Sequence, residues 1–227
     1  RFRNVTGVQT CALPIWGYNI LVENLDPRAR INSGNAAPLA MTQGAAGEID
    51  AAMFIGYHAR ASSLLAVLSH TWDDHILNVW WNDQLLGETG INAAVCGYYG
   101  AALLLVSGDQ VLAEESAALI PGIEAVIVKR ATSYFSAECL PLEEAQENIR
   151  QGAEKAVRKF LEGKGPQPFK LSAPVTVTVE FASVPQTDSA MKLPGATRLD
   201  GRKLQAFAGD VLTAYSLFRS LVQLSSR

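Results

Sequence analysis

Five consecutive apolar residues, Ala51 to Ile55, run directly into Gly56-Tyr57-His58. A strand with apolar side chains on both faces has to be covered on both faces, and a mostly parallel sheet flanked by helices does this. A strand over Asp50 to His58 is therefore preferred to a helix there. Beyond it, short β-rich runs alternate with longer amphipathic ones.

Ile76 to Asn82 reads as a strand entering a turn at Asp83, and Glu88 to Tyr99 as a helix with Ile91, Val95 and Tyr98 on one apolar stripe. Ala101 to Ser107 is a short apolar run stopped by Gly108-Asp109. Gln110 to Leu119 is an amphipathic helix closed by Pro121-Gly122, and Glu124 to Arg130 a further strand. Leu142 to Leu161 carries Ala145, Ile149, Ala153, Ala156, Val157 and Phe160 at helical spacing and should be the longest helix.

Gly163-Lys164-Gly165-Pro166 ends that helix and marks the strongest boundary in the chain. After it, Val175 to Phe181 alternates at period two, as expected of a strand with one face toward solvent or another layer. Leu204 to Phe207 reads as another strand and Asp210 to Leu224 as a terminal helix. The expected fold class is α/β, a central mostly parallel sheet flanked by helices with a smaller C-terminal α+β part. The expected divisions are 1–15, 16–163 and 164–227.

The first of these, Arg1 to Ile15, shows neither helical nor strand periodicity and lacks the apolar core of a signal peptide. It resembles translated adapter read-through, a non-native artefact, which would place the start of genuine sequence near Trp16. The 227 residues suffice for a large core without disulfides. With 19 basic residues, scattered, against 22 acidic ones, the formal charge of −3 argues against a nucleic-acid partner. The apolar stretches Ala101 to Val106 and Ala125 to Val128 fall far short of the roughly 20 residues that span a bilayer, so no membrane partner is expected. Cys11, Cys96 and Cys139 are odd in number and lack C-x-x-C spacing, which fits a reducing compartment and sets a cytoplasmic expectation.

All three histidines fall within 18 residues, at 58, 70 and 75. His58 stands at the carboxyl end of the first strand, where open α/β sheets present ligand-binding groups. It is either a metal ligand or proton carrier, or a core imidazole bonded to backbone. His70, in a polar segment, is either functional or a solvated loop residue. His75, after Asp73-Asp74, reads as non-functional. Glu88 lies at a helix start, where the dipole favours an anion, so capping and chemistry compete as explanations. Cys96 and Cys139 have no basic neighbour in sequence and read as inert thiols.

Taken together, Phe54-Ile55-Gly56-Tyr57-His58-Ala59-Arg60-Ala61, Leu68-Ser69-His70-Thr71 and Gly87-Glu88-Thr89-Gly90-Ile91-Asn92-Ala93 resemble the zinc-dependent D-aminopeptidase family associated with dipeptide-transport operons. The resemblance continues through Ser107-Gly108-Asp109 and Val128-Lys129-Arg130 and covers Gly17 to the C-terminus. It implies a centre of two Zn2+ per subunit, with His58 and Glu88 as ligands, His70 as catalytic acid/base or transition-state stabiliser, and Asn92 as a substrate-binding residue. It further implies a ring-shaped homo-oligomer that releases N-terminal D-amino acids from short peptides.

One departure stands at the front. The family's S-x-D-x-E-G strand is absent, and no histidine precedes His58. The expectation is that strands carrying three ligands are missing and that this chain alone is impaired in zinc binding and activity. Two alternatives stand beside the peptidase: a non-catalytic oligomeric binding or scaffold protein of the same fold, and a metal-dependent amidase with another substrate.

Overall fold

A computed structural model describes residues 21–32, 37–47 and 49–226, together with the backbone of 6–8. Cys11, Trp16 and nearly all of the 1–15 segment lie outside the described residues. The strands are β1 (Thr6–Val8), β2 (Arg30–Ile31), β3 (Ala51–Phe54), β4 (Ile76–Trp81), β5 (Gln84–Leu85), β6 (Ala102–Gly108), β7 (Glu124–Ile127), β8 (Lys129–Ser133), β9 (Ser136–Cys139), β10 (Val175–Phe181), β11 (Thr197–Arg198) and β12 (Lys203–Ala208). The helices are α1 (Glu88–Tyr98), α2 (Gln110–Leu119), α3 (Leu142–Leu161), α4 (Val184–Ala190) and α5 (Val211–Ser225). Among the described residues no helix is long and apolar enough to cross a membrane.

The parallel sheet has the order β3-β6-β7. Every residue of its central strand, β6, is buried, because α1 and α2 cover one face through Ala93, Cys96 and Leu112 and α3 covers the other through Ala153, Ala156, Val157 and Phe160. This is the expected α/β core. A larger antiparallel sheet, β11-β12-β10-β4-β5, stands beside it. Its β4 and β5 precede Gly163 and its other strands follow it, with Val179 of β10 paired to Val79 of β4. β10 buries Val175, Val177, Val179 and Phe181 and turns its threonines outward, toward solvent as its period-two pattern requires.

Helix α1 packs against both cores: Ile91, Ala94 and Val95 join the antiparallel sheet and α5, while Ala93 and Cys96 face the parallel sheet. All of Glu88 to Gly97 is buried, so the one-sided stripe expected from sequence becomes a helix enclosed on all sides. The strand expected over Glu124 to Arg130 is divided at Val128, whose N–H bonds Gly108 O at 3.0 Å. There β6 ends and offers no further partner, and the chain from Lys129 pairs instead with β9. That hairpin, rich in serine and threonine, carries no apolar alternation to announce it.

Candidate metal centre

At the carboxyl end of β3 the chain turns through Gly56 at φ +74, a conformation that glycine adopts without steric cost. Its N–H donates to Ser107 Oγ, and the N–H of Tyr57 to Ser107 O, each at 3.0 Å. The exit of β3 is thereby tied to the end of β6, and the next residue is His58.

Nδ1 of His58 faces Ala59 O at 3.0 Å. A carbonyl oxygen can only accept, so Nδ1 carries the proton and the neutral ring keeps its lone pair on Nε2. His70 repeats the arrangement, with Nδ1 donating to Leu68 O at 2.6 Å. The two rings stack with centroids 3.8 Å apart and planes 18° from parallel. Burial pushes the His58 imidazole below its ordinary value, against the opposing pull of Glu88 beside it, which favours the neutral ring.

Glu88 opens α1 after Gly87, and its side chain is fully buried. Gly87 is required there: a Cβ would fall 2.6 Å from Arg60 Cβ and 2.7 Å from Glu115 Oε1. Glu88 Oε1 lies 3.5 Å from His58 Nε2 and 3.6 Å from His70 Nε2, and accepts the backbone N–H of Trp72 at 2.7 Å. Two donors at 2.0–2.2 Å from one ion at the tetrahedral angle stand about 3.3–3.6 Å apart, so both separations suit two ligands of a single cation. Two imidazole nitrogens and one buried carboxylate oxygen within 4.8 Å of one another fit a divalent transition-metal ion by donor type as well.

The structure therefore brings His58, His70 and Glu88 together. Asn92, one turn beyond Glu88, is fully buried. Its Nδ2 donates to Tyr57 Oη at 3.1 Å and approaches Met41 Sδ at 3.6 Å, and its Oδ1 has no partner among the described residues. His75 is placed elsewhere: Nδ1 bonds Asp73 Oδ1 at 2.6 Å and Nε2 meets Ser225 Oγ at 2.7 Å, which fastens the end of α5.

Sequence reasoning assigned no role to the residues of α2 that hold the histidine loop. Asp109 caps the helix by accepting from the N–H groups of Val111 and Leu112, while its Oδ2 accepts from Val67 N at 2.8 Å. Gln110 Nε2 donates to Leu65 O at 2.9 Å, and Glu115 Oε2 accepts from Arg60 N at 2.9 Å. The Ser-Gly-Asp string was the available signal, but bonds spanning more than 40 residues are not written in local spacing.

An α/β protein with two histidines and a buried glutamate clustered at the mouth of its parallel sheet has a donor set that could hold a transition-metal ion. The D-aminopeptidase family model matches residues 16–220, and the chain belongs to that family. It is 33% identical over 210 residues to a D-aminopeptidase of Bacillus subtilis (strain 168), covering 92% of this chain and 75% of that protein. Among solved structures it resembles the Zn-dependent D-aminopeptidase DppA from Bacillus subtilis, described as a self-compartmentalizing protease. The TM-score is 0.82 at 32% identity, over 92% of this chain and 75% of that one.

Proposed function

We propose that this chain is a zinc-dependent D-aminopeptidase that removes N-terminal D-residues from short peptides. The convergence of two Nε2 atoms and a buried carboxylate oxygen carries the reading. A non-catalytic scaffold has no need of such a cluster.

His58 and Glu88 would hold the ion, the first with its tautomer set by Ala59 O and the second from the rigid start of α1. Zinc, when bound, supplies a Lewis acid that polarises a carbonyl and acidifies water. His70 acts on the substrate: with Nδ1 anchored on Leu68 O, its Nε2 takes up a proton during attack and returns it to the leaving amine. Asn92 is assigned to substrate binding by the family resemblance, and its Nδ2 steadies Tyr57 next to His58. The two-ion centre implied by the resemblance asks for donors beyond His58 and Glu88. Assembly of several copies around an enclosed space belongs to the same proposal, supported by the description of the Bacillus subtilis structure, as does a cytoplasmic location, supported by the cysteine pattern.

The test pairs zinc titration of the 227-residue chain with hydrolysis of a dipeptide and its enantiomer. Weak zinc binding that is lost in His58→Ala, with release of the D-residue that is low or absent in this chain and, where present, abolished by chelator, is the expected result. Release of the L-residue instead would favour another peptidase, and absence of zinc binding would overturn the reading.

A further inference from the structure

Among the bonds to Glu88, one comes from a residue whose backbone is itself strained. Trp72 donates its N–H to Glu88 Oε1 at 2.7 Å, the same oxygen that His58 and His70 approach. It does so at φ +70, in the left-handed region that a bulky L-residue occupies only when its surroundings impose it. Ser62, Leu65 and Leu68, earlier in the same loop, also have positive φ, but Trp72 alone of the four donates its N–H to Glu88 among the bonds described.

Locally, Asp73 N–H closes a bond on Thr71 O across Trp72 at 2.8 Å, and the surroundings of the indole belong to α5. The indole meets the rings of Tyr215 and Phe218 edge-on, with centroids 5.7 and 5.6 Å away and interplanar angles of 79° and 87°. The Arg219 guanidinium lies 5.9 Å over it and is held in turn by the carbonyls of Ala37 and Pro38, each at 2.8 Å. Three residues on, His75 ties the same loop to Ser225 in the last turn of α5. The segment between Trp72 and His75 is thus fastened to one helix at both ends.

We propose that Trp72 is a positioning residue of the metal centre: its indole, seated on α5, holds the loop in the left-handed conformation that aims its N–H at Glu88 Oε1 and presents the carboxylate to the cation in one orientation. The C-terminal helix thereby shapes the site without contributing an atom to it. Groups that hydrogen-bond a metal ligand commonly govern metal affinity this way. The proposal rests on the reading of Glu88 as a ligand, and it differs from ordinary core packing in what it predicts. A packing residue lowers stability and leaves the zinc affinity of the folded protein unchanged.

The experiment compares the full chain with Trp72→Gly, Trp72→Phe and Glu88→Gln, reading zinc affinity by competition with a chromophoric chelator and the ligand field from the absorption spectrum of the cobalt(II) form. Glycine accepts the positive φ and keeps the N–H but removes the wedge. Phenylalanine keeps a ring against α5. Trp72→Gly, folded by circular dichroism, should weaken zinc binding by about 10–100-fold and alter the cobalt spectrum, with a smaller change in Trp72→Phe. Should Trp72→Gly fail to fold, Phe218→Leu and Arg219→Gln loosen the indole's seat from the far side and should weaken zinc binding in the same direction. Unchanged affinity and spectrum in the folded indole-loosened proteins, with Glu88→Gln impaired, overturns the role of Trp72 alone. A wild-type chain that binds no zinc, or a Glu88→Gln protein that binds as tightly as wild type, overturns the ligand reading and this proposal with it.

Discussion

Replacing Asp109 with alanine tests whether α2 holds the histidine loop. The carboxylate is buried and accepts three backbone N–H groups: Val111 at 3.1 Å and Leu112 at 2.9 Å through Oδ1, and Val67 at 2.8 Å through Oδ2. Loss of the cap costs about 1 kcal/mol. Loss of a hydrogen bond to a charged acceptor costs about 1.5–3 kcal/mol, toward the lower end here because Val67 is half-buried and water can replace part of the bond. Together they come to about 2.5–4 kcal/mol, nearer the lower figure. Asp109→Asn should cost less, since one amide oxygen can serve either the cap or Val67 but not both. Urea unfolding followed by tryptophan fluorescence measures the loss as a lowered midpoint at constant slope. Because Val67 is three residues from His70, whose Nε2 acts on the substrate, kcat should fall as well while zinc content stays near the wild-type level. An alanine variant within about 0.5 kcal/mol of wild type would refute the reasoning.

Three further outcomes follow from the same geometry. His70→Ala should retain zinc near the wild-type level while kcat falls by about 10²–10⁴-fold, whereas His58→Ala should lose metal and activity together; metal analysis alongside steady-state kinetics separates them, and a normal kcat removes His70 from the mechanism. Burial pushes the Glu115 carboxyl above its ordinary value of 4.5, so its contribution to stability is present below the unfolded value and is lost as pH rises through the folded one. Glu115→Gln keeps an acceptor for Arg60 N–H and cannot ionise; its stability relative to wild type should therefore rise as pH increases above the ordinary value of 4.5 in urea titrations, and a pH-independent difference contradicts the argument. Burial also pushes the Cys96 thiol up to about 12, while Cys139 is exposed, so peptide mapping after brief alkylation of the folded chain should find Cys139 modified and Cys96 intact.

The amino-acid sequence by itself determined the elements whose patterns are local. Helices over Gln110–Leu119 and Leu142–Leu161 and the strand Val175–Phe181 stand where periodicity and Gly/Pro punctuation put them, because a 3.6-residue or two-residue repeat is a property of neighbouring positions. It also marked His58, His70 and Glu88, since each lies in a short string whose residue types resemble a family pattern. Tertiary structure alone decided how these parts meet. A period of two says that β10 has an inner face but cannot say that its edge pairs with β4, about a hundred residues upstream. Helix α1 is enclosed because two sheets close on it, and no stripe along eleven residues records that. The stacking of two imidazoles, the direction of the Trp72 N–H and the reach of Asp109 to Val67 depend on distances of a few ångströms between segments far apart in the chain. Those distances are set by the packing of cores and by left-handed turns held from outside the loop, and neither is written in the identity of adjacent residues.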